Sequence, residues 1–296
     1  YTNGKADAVA KLLPVYDNLE RALNQPTEDE AYKKGVEMTM TQLVGIFTSL
    51  GVEIYGNAGD AFDPTIHNAN HVTPLQGAAV NGHAECLKLL LELGCRDSAT
   101  KNDGITALML AAANGSAECV RLLLQHGADA DARNKENMTA LSYAVRRGHT
   151  ECARILLENG ANVNIRHSET QNTPLLDAAL LGHTDCLRLL LQHGANAKQA
   201  DAKANSALVH AVRENHPQCV ALLLEYGALA NSTDPRGLTP LHHAALNGYK
   251  ECLLLLLQAG ANANPPVPEN CYSPLEAAVS RNSIDCARIL LEAGAR

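Results

Sequence analysis

Residues Thr239–Asn264 read TPLHHAALNGYKECLLLLLQAGANAN. Two short apolar-periodic segments are separated by a glycine and closed by a second one. A threonine at the start can cap a helix by accepting a hydrogen bond from an unpaired backbone N–H. Proline suits the first helical turn that follows. The small pair Ala244–Ala245 lets this helix pack closely, and Gly248 ends it by allowing a left-handed turn. A second helix follows, with leucines at helical spacing, and stops at Gly260. A pair this short cannot bury its own leucine face.

The same text recurs along the chain. The openings are TPLQGAA at Thr73, TALMLAA at Thr106, TALSYAV at Thr139, TPLLDAA at Thr173, SALVHAV at Ser206, TPLHHAA at Thr239 and SPLEAAV at Ser273. Their spacing is 33 or 34 residues. Second helices end at Gly94, Gly127, Gly160, Gly194, Gly227, Gly260 and Gly294, and a polar loop leads to the next copy. Stacking neighbours buries what one copy cannot, which predicts a quasi-one-dimensional solenoid.

Seven of the nine cysteines keep this period: Cys86, Cys119, Cys152, Cys186, Cys219, Cys252 and Cys286. One thiol per unit, about a repeat apart, is too far from the next for a disulfide, which needs Cα atoms within ~7 Å. The reading is therefore core thiols, behaving as small apolar residues, in a reducing, cytoplasmic compartment. The histidines are spread over separate units and form no metal cluster. His83, His149 and His183 lie in the turn between helices, and His126 and His193 at a helix C-terminus, where a cation suits the dipole.

The period and the TPLH text resemble the ankyrin-repeat family over Val72–Arg296, in seven units. Only Thr239–His242 carries the full TPLH, and Asn215 and Asn282 stand where the first-helix glycine is expected. The resemblance implies a protein or peptide ligand held by loop tips and by the groove-facing side of the first helices. The groove positions are the two residues before each first-helix glycine, and the loop position is the residue before each Thr or Ser. From these, Met138, Arg146, Arg147, Leu180, Leu181, Leu238, Leu246 and Tyr272 are the expected partner-binding residues. The large apolar groups among them are expected to be exposed, beside arginine and tyrosine, as in a binding hot spot. The last unit closes on "GAR" without a polar cap, which suggests a longer parent chain.

Residues 1–69 read differently. LLPVYDNLERAL and the segment after NQPTEDE show helical apolar spacing, and Thr27 with Glu30 forms a capping box. Two such helices cannot enclose a core, so their stripes are expected to pair with a second copy. The dimerisation residues are then Leu12, Val15, Leu19, Leu23, Met40, Leu43, Phe47 and Leu50. LLPVYDNLERAL, GVEMTMTQL, LGVEIYG and FDPTIHNA resemble the middle of a GrpE-type nucleotide exchange factor, the co-chaperone of DnaK-type chaperones. The resemblance implies half of a dimeric four-helix bundle, with a vestigial contact to such a chaperone. The text departs after Ala69, where that family's β-domain would begin, and the repeats stand in its place.

The expected fold is all-α: an N-terminal helical hairpin at 1–69 and a seven-unit ankyrin solenoid at 70–296. The join, without a linker, suggests an engineered fusion, and the missing initiator Met suggests that the numbering starts inside something longer. With 32 acidic residues against 24 Lys and Arg, nucleic acid and anionic membrane are poor partners. No apolar run approaches the ~18 residues of a membrane span. No nucleophile–base spacing, phosphate loop or glycine fingerprint occurs, so neither an enzyme nor a cofactor is expected. A dimeric binding scaffold is the favoured function; a nucleotide exchange factor is the alternative, disfavoured because the β-domain text is missing.

Overall fold

The computed structural model describes residues 73–97, 103–269 and 271–296, together with Thr39. The expected N-terminal hairpin, its dimerisation residues and the join at residues 69–70 lie outside the described residues. Leu75–Leu91 and Arg96–Arg296 form one compact unit.

Among the described residues the architecture is all helical, with no strand and a single isolated bridge between Ala200 and Ser206. Seven helix pairs follow one another: α1 (Pro74–Val80) with α2 (Ala84–Glu92), α3 (Ala107–Asn114) with α4 (Ala117–Gln125), α5 (Ala140–Arg146) with α6 (Thr150–Glu158), and α7 (Pro174–Leu181) with α8 (Thr184–Gln192). The last three pairs are α9 (Ala207–Arg213) with α10 (Pro217–Glu225), α11 (Pro240–Asn247) with α12 (Lys250–Gln258), and α13 (Pro274–Ser280) with α14 (Ile284–Glu292).

The helices are only 7–9 residues long. Isolated helices shorter than about 12 residues are marginal in water, so packing must hold these. From α3 onward each first helix packs on its own second helix and on the next first helix, and each second helix packs on the next second helix. The interior repeats with the chain: Leu123, Leu156, Leu190, Leu223, Leu256 and Leu290 occupy one position in successive units, and all are 0% exposed. Each such leucine contributes about 1.5–3 kcal/mol by leaving water. Six of the seven periodic cysteines are buried in the same interior, and Cys86 is half-buried.

Capping follows the expected pattern. Thr106 Oγ1 accepts from Met109 N–H at 3.2 Å, and Ser206 Oγ accepts from Val209 N–H at 3.3 Å. In the TPLH unit the Thr239 N–H instead donates to His242 Nδ1 at 3.1 Å, which fixes the imidazole against the helix start.

In three units the turn inside the pair is bonded to the preceding unit. His149 Nε2 donates to the Ala113 carbonyl at 3.1 Å, His183 Nε2 to Arg146 at 3.3 Å and His216 Nε2 to Leu180 at 3.3 Å. Each ring thereby satisfies a carbonyl left open at the end of the previous first helix. The three histidines occupy the N-cap position of their second helices without a side-chain cap bond. Gly182 shows what the arrangement demands: its φ is +74°, and a Cβ placed there would lie 2.5 Å from the His216 ring. Asn215 and Asn282 adopt the same left-handed conformation, at φ 57° and 54°, as asparagine tolerates.

Gly182→Ala is expected to destabilise the fold more than Gly194→Ala. Both force a side chain into a left-handed backbone, at a cost of about 1–2 kcal/mol. At Gly194 the added methyl meets nothing within 4 Å, whereas at Gly182 it must also displace His216. Urea titration of the two variants measures the difference.

Candidate functional site

The C-terminal ends of the first helices form a periodic row, one step per unit. At the second residue before the turn it reads Val80, Ala113, Arg146, Leu180, Arg213, Leu246 and Ser280. At the adjacent residue it reads Asn81, Asn114, Arg147, Leu181, Glu214, Asn247 and Arg281. Of the expected partner-binding residues, Arg146 and Arg147 are exposed, Leu181 is 44% exposed, and Leu180 and Leu246 are half-buried. The shared helix register and the histidine bonds to Ala113, Arg146 and Leu180 hold this row in place.

Two loop residues behave otherwise than expected. Met138 and Leu238 are buried, at 3% and 7% exposure, although the residue before the cap was expected to face solvent. The cause is a side-chain acceptor four residues upstream. Asn134 Oδ1 accepts from the Met138 N–H at 2.8 Å, and Asp234 Oδ1 accepts from the Leu238 N–H at 2.9 Å. This curls the loop and turns the next side chain inward. Where Asp234 has its counterpart, Tyr272 is preceded by Pro268, which offers no side-chain acceptor, and Tyr272 remains 59% exposed.

The same loop residues clasp the first helix. Asn134 Nδ2 donates to the Tyr143 hydroxyl at 3.0 Å. His210 Nε2 donates to Asp201 Oδ2 at 3.0 Å, and His243 Nε2 to Asp234 Oδ2 at 3.1 Å. In the fourth unit the polarity is exchanged: His167 lies on the loop and Asp177 on α7, with Nδ1 and Oδ2 3.6 Å apart. Arg146, from the preceding unit, brings its Nε within 3.9 Å of the same Asp177 oxygen. The expected basic step is therefore partly committed to an internal acid. Sequence patterning pointed to none of the clasps, because the partners sit nine or ten residues apart on different elements.

Burial acts to raise the Asp234 carboxyl. The Leu238 and Arg236 N–H groups and the His243 imidazole outweigh it, so its pKa falls below the ordinary 3.8. Asp201 is lowered in the same way, with Asn205 and His210 opposing burial. Burial pushes His243 below 6.5, only partly offset by Asp234. The pair is thus a neutral imidazole donating to a carboxylate. His242 and His167 are also pushed down, by burial first.

The remaining chemistry is sparse. Burial raises the thiols of Cys152 and Cys252 to about 11, so they are held as weakly nucleophilic thiols. Among the described residues no group of three or more His, Cys, Asp or Glu side chains could hold a metal ion. Nor is any described helix long and apolar enough to cross a membrane.

Comparison with known proteins divides the chain in two. A family model described as ankyrin repeats (3 copies) matches residues 75–167, 166–234 and 227–296. A GrpE family model matches residues 1–83, so the two matches overlap at 75–83. Protein GrpE of Oenococcus oeni is 46% identical over 72 residues, covering 23% of this chain and 36% of that protein. Protein GrpE of Lactiplantibacillus plantarum is 49% identical over 72 residues, with the same coverage of 23% and 36%. The chain spans about a third of the length of these curated relatives. Among solved structures, the human ASB11 ankyrin repeat domain superposes with a TM-score of 0.66 at 28% identity, covering 75% of this chain and 97% of that one. The ankyrin repeat domain of Bcl-3, a member of the IkappaB protein family, gives 0.64 at 31% identity, covering 73% and 98%. An ankyrin repeat domain from Acinetobacter baumannii AYE gives 0.60 at 34%, covering 64% and 98%.

Stability is expected to fall in two stages on acidification. Below pH 6.5 the unfolded chain takes up protons that buried His167, His242 and His243 refuse. Below 3.8 a second loss begins, as Asp201 and Asp234 lose stability that is present only while they are ionised. A His242→Gln/His243→Gln variant should show a shallower first stage, read from urea midpoints across pH.

Proposed function

The chain belongs to the ankyrin-repeat family, and from that premise we propose that it is a non-enzymatic scaffold holding a protein or peptide along the ends of its first helices. The observation that carries this is the exposed row, where Leu181 stays 44% exposed on a rigidly hydrogen-bonded stack. Exposed apolar side chains beside arginines are what a protein-binding surface needs. Arg146, Arg147, Leu180, Leu181, Leu246 and Tyr272 contact the ligand in this reading. Met138 and Leu238 act beneath it, shaping the loops.

The GrpE-like segment at residues 1–69 joins two chains through Leu12, Val15, Leu19, Leu23, Met40, Leu43, Phe47 and Leu50. Two scaffolds in one particle gain avidity for a ligand that engages both. The two family matches support a fusion of the two parts; in this reading the fusion is engineered and the join lies near residues 69–70. Seven periodic thiols, six of them buried and none in a disulfide, support residence in a reducing cytoplasm.

A second reading, a nucleotide exchange factor for a DnaK-type chaperone, is favoured by the GrpE match alone. It is the weaker one, since the chain spans only about a third of the GrpE relatives.

Light scattering of the full chain is expected to give twice the 31.5 kDa chain mass. A Leu43→Glu/Phe47→Glu variant is expected to give one chain mass, and a monomeric parent chain would refute the dimer. Ligands selected from peptide display are expected to lose binding to Leu181→Glu. ADP release from a DnaK-type chaperone is expected to stay unchanged on adding the chain; acceleration would favour the second reading.

A further inference from the structure

Within the row, four successive units alternate in chemistry: Arg146, Leu180, Arg213, Leu246. Small residues, Ala113 and Ser280, bound the series. Three acids of the same units are turned inward. Asp177, Asp201 and Asp234 side chains are 6%, 9% and 2% exposed, and each is bound to a histidine or asparagine of its own unit. Arg146 keeps a side chain 51% exposed despite its approach to Asp177. Arg213 is exposed, its charge helps to push the His243 imidazole down, and it makes no ion pair among the described residues. Glu214, beside it, is the one exposed carboxylate in the two rows. An acidic protein thus presents a line of alternating positive charge and apolar surface.

We propose that this line reads an extended peptide carrying acidic and apolar residues in alternation at every third position. The proposal rests on the reading of the row as the binding surface. Packed helices lie about 8–10 Å apart, and an extended chain in the polyproline II conformation advances about 3.1 Å per residue with three residues per turn, so that every third side chain faces the same way. Three peptide residues therefore span one step of the solenoid. An acid opposite Arg146 places an apolar residue, three positions on, opposite Leu180; the next acid meets Arg213 and the next apolar residue meets Leu246. Carboxylates pair well with arginine in a charge-assisted, two-pronged contact. Mispaired lysines would face the arginines and be rejected, which supplies specificity as well as attraction.

The test uses the full chain and fluorescein-labelled synthetic peptides, read by anisotropy. One peptide carries Asp, Leu, Asp and Leu at every third position with Ser between. A second replaces Asp by Lys, and a third keeps the composition but spaces the four residues by two. The first is expected to bind at least roughly tenfold more tightly than the others, and to weaken as salt rises. Arg213→Glu should remove that preference with the thermal midpoint unchanged, and Leu180→Ser should weaken the first peptide. Equal binding of the Asp and Lys peptides, or of the two spacings, overturns the proposal. A display selection on the same chain separates the two levels. Ligands sensitive to Leu181→Glu but lacking spaced acids sink the proposal and keep the surface. Ligands indifferent to both Leu181→Glu and Arg213→Glu, or no ligands at all, count against the surface itself.

Discussion

The controlling constraint is that a pair of helices this short has more apolar surface than it can cover. Leu123 or Leu156 reaches 0% exposure only because a neighbouring unit supplies the other wall. The regular period follows from this, since a unit of different length would not present matching surface. So does the demand for small first-helix residues: Ala111, Ala112, Ala144, Ala178, Ala211 and Ala244 are all 0% exposed, where a larger side chain would hold the units apart.

Apolar stacking alone would leave the units free to slide. Polar bonds between units set their register. One set runs from turn histidines to the preceding first helix. Another runs through the loops after the second helices: Asn162 N–H donates to Asp131 Oδ1 at 2.8 Å, and Asn262 N–H to Asn231 Oδ1 at 2.8 Å. A third links loop backbones, with Ser168 N–H on the Glu136 carbonyl at 2.9 Å and Ala202 N–H on Thr170 at 2.9 Å. Directional bonds on several edges give the row of Arg146, Leu180, Arg213 and Leu246 a spacing that a ligand could read.

The solenoid was legible in the sequence because its causes are local and repeated. A cap, a small pair, a glycine and a leucine stripe each have a fixed offset, and seven copies remove the ambiguity of one. The two departures from the pattern keep its geometry: Asn215 and Asn282 take the left-handed turn that glycine takes elsewhere. The surface was less legible. Leu181 and Tyr272 are exposed as patterning suggested, but Met138 and Leu238 are turned in by Asn134 and Asp234. That outcome depends on a side chain curling a loop, which periodicity does not register. The link between Arg146 and Asp177 is harder still, as it joins two units through an exchanged histidine–acid pair.

The line of thiols has a consequence for the chemistry of wear. Cys119, Cys152, Cys186, Cys219 and Cys252 lie along the interior at 0–1% exposure, with burial holding each as the protonated, sluggish form. Oxidants and electrophiles in the surrounding medium can reach them only where two units part. Damage would then be written in the order in which the stack frays, and a modified cysteine, too large and too polar for its slot, would keep that gap from closing again.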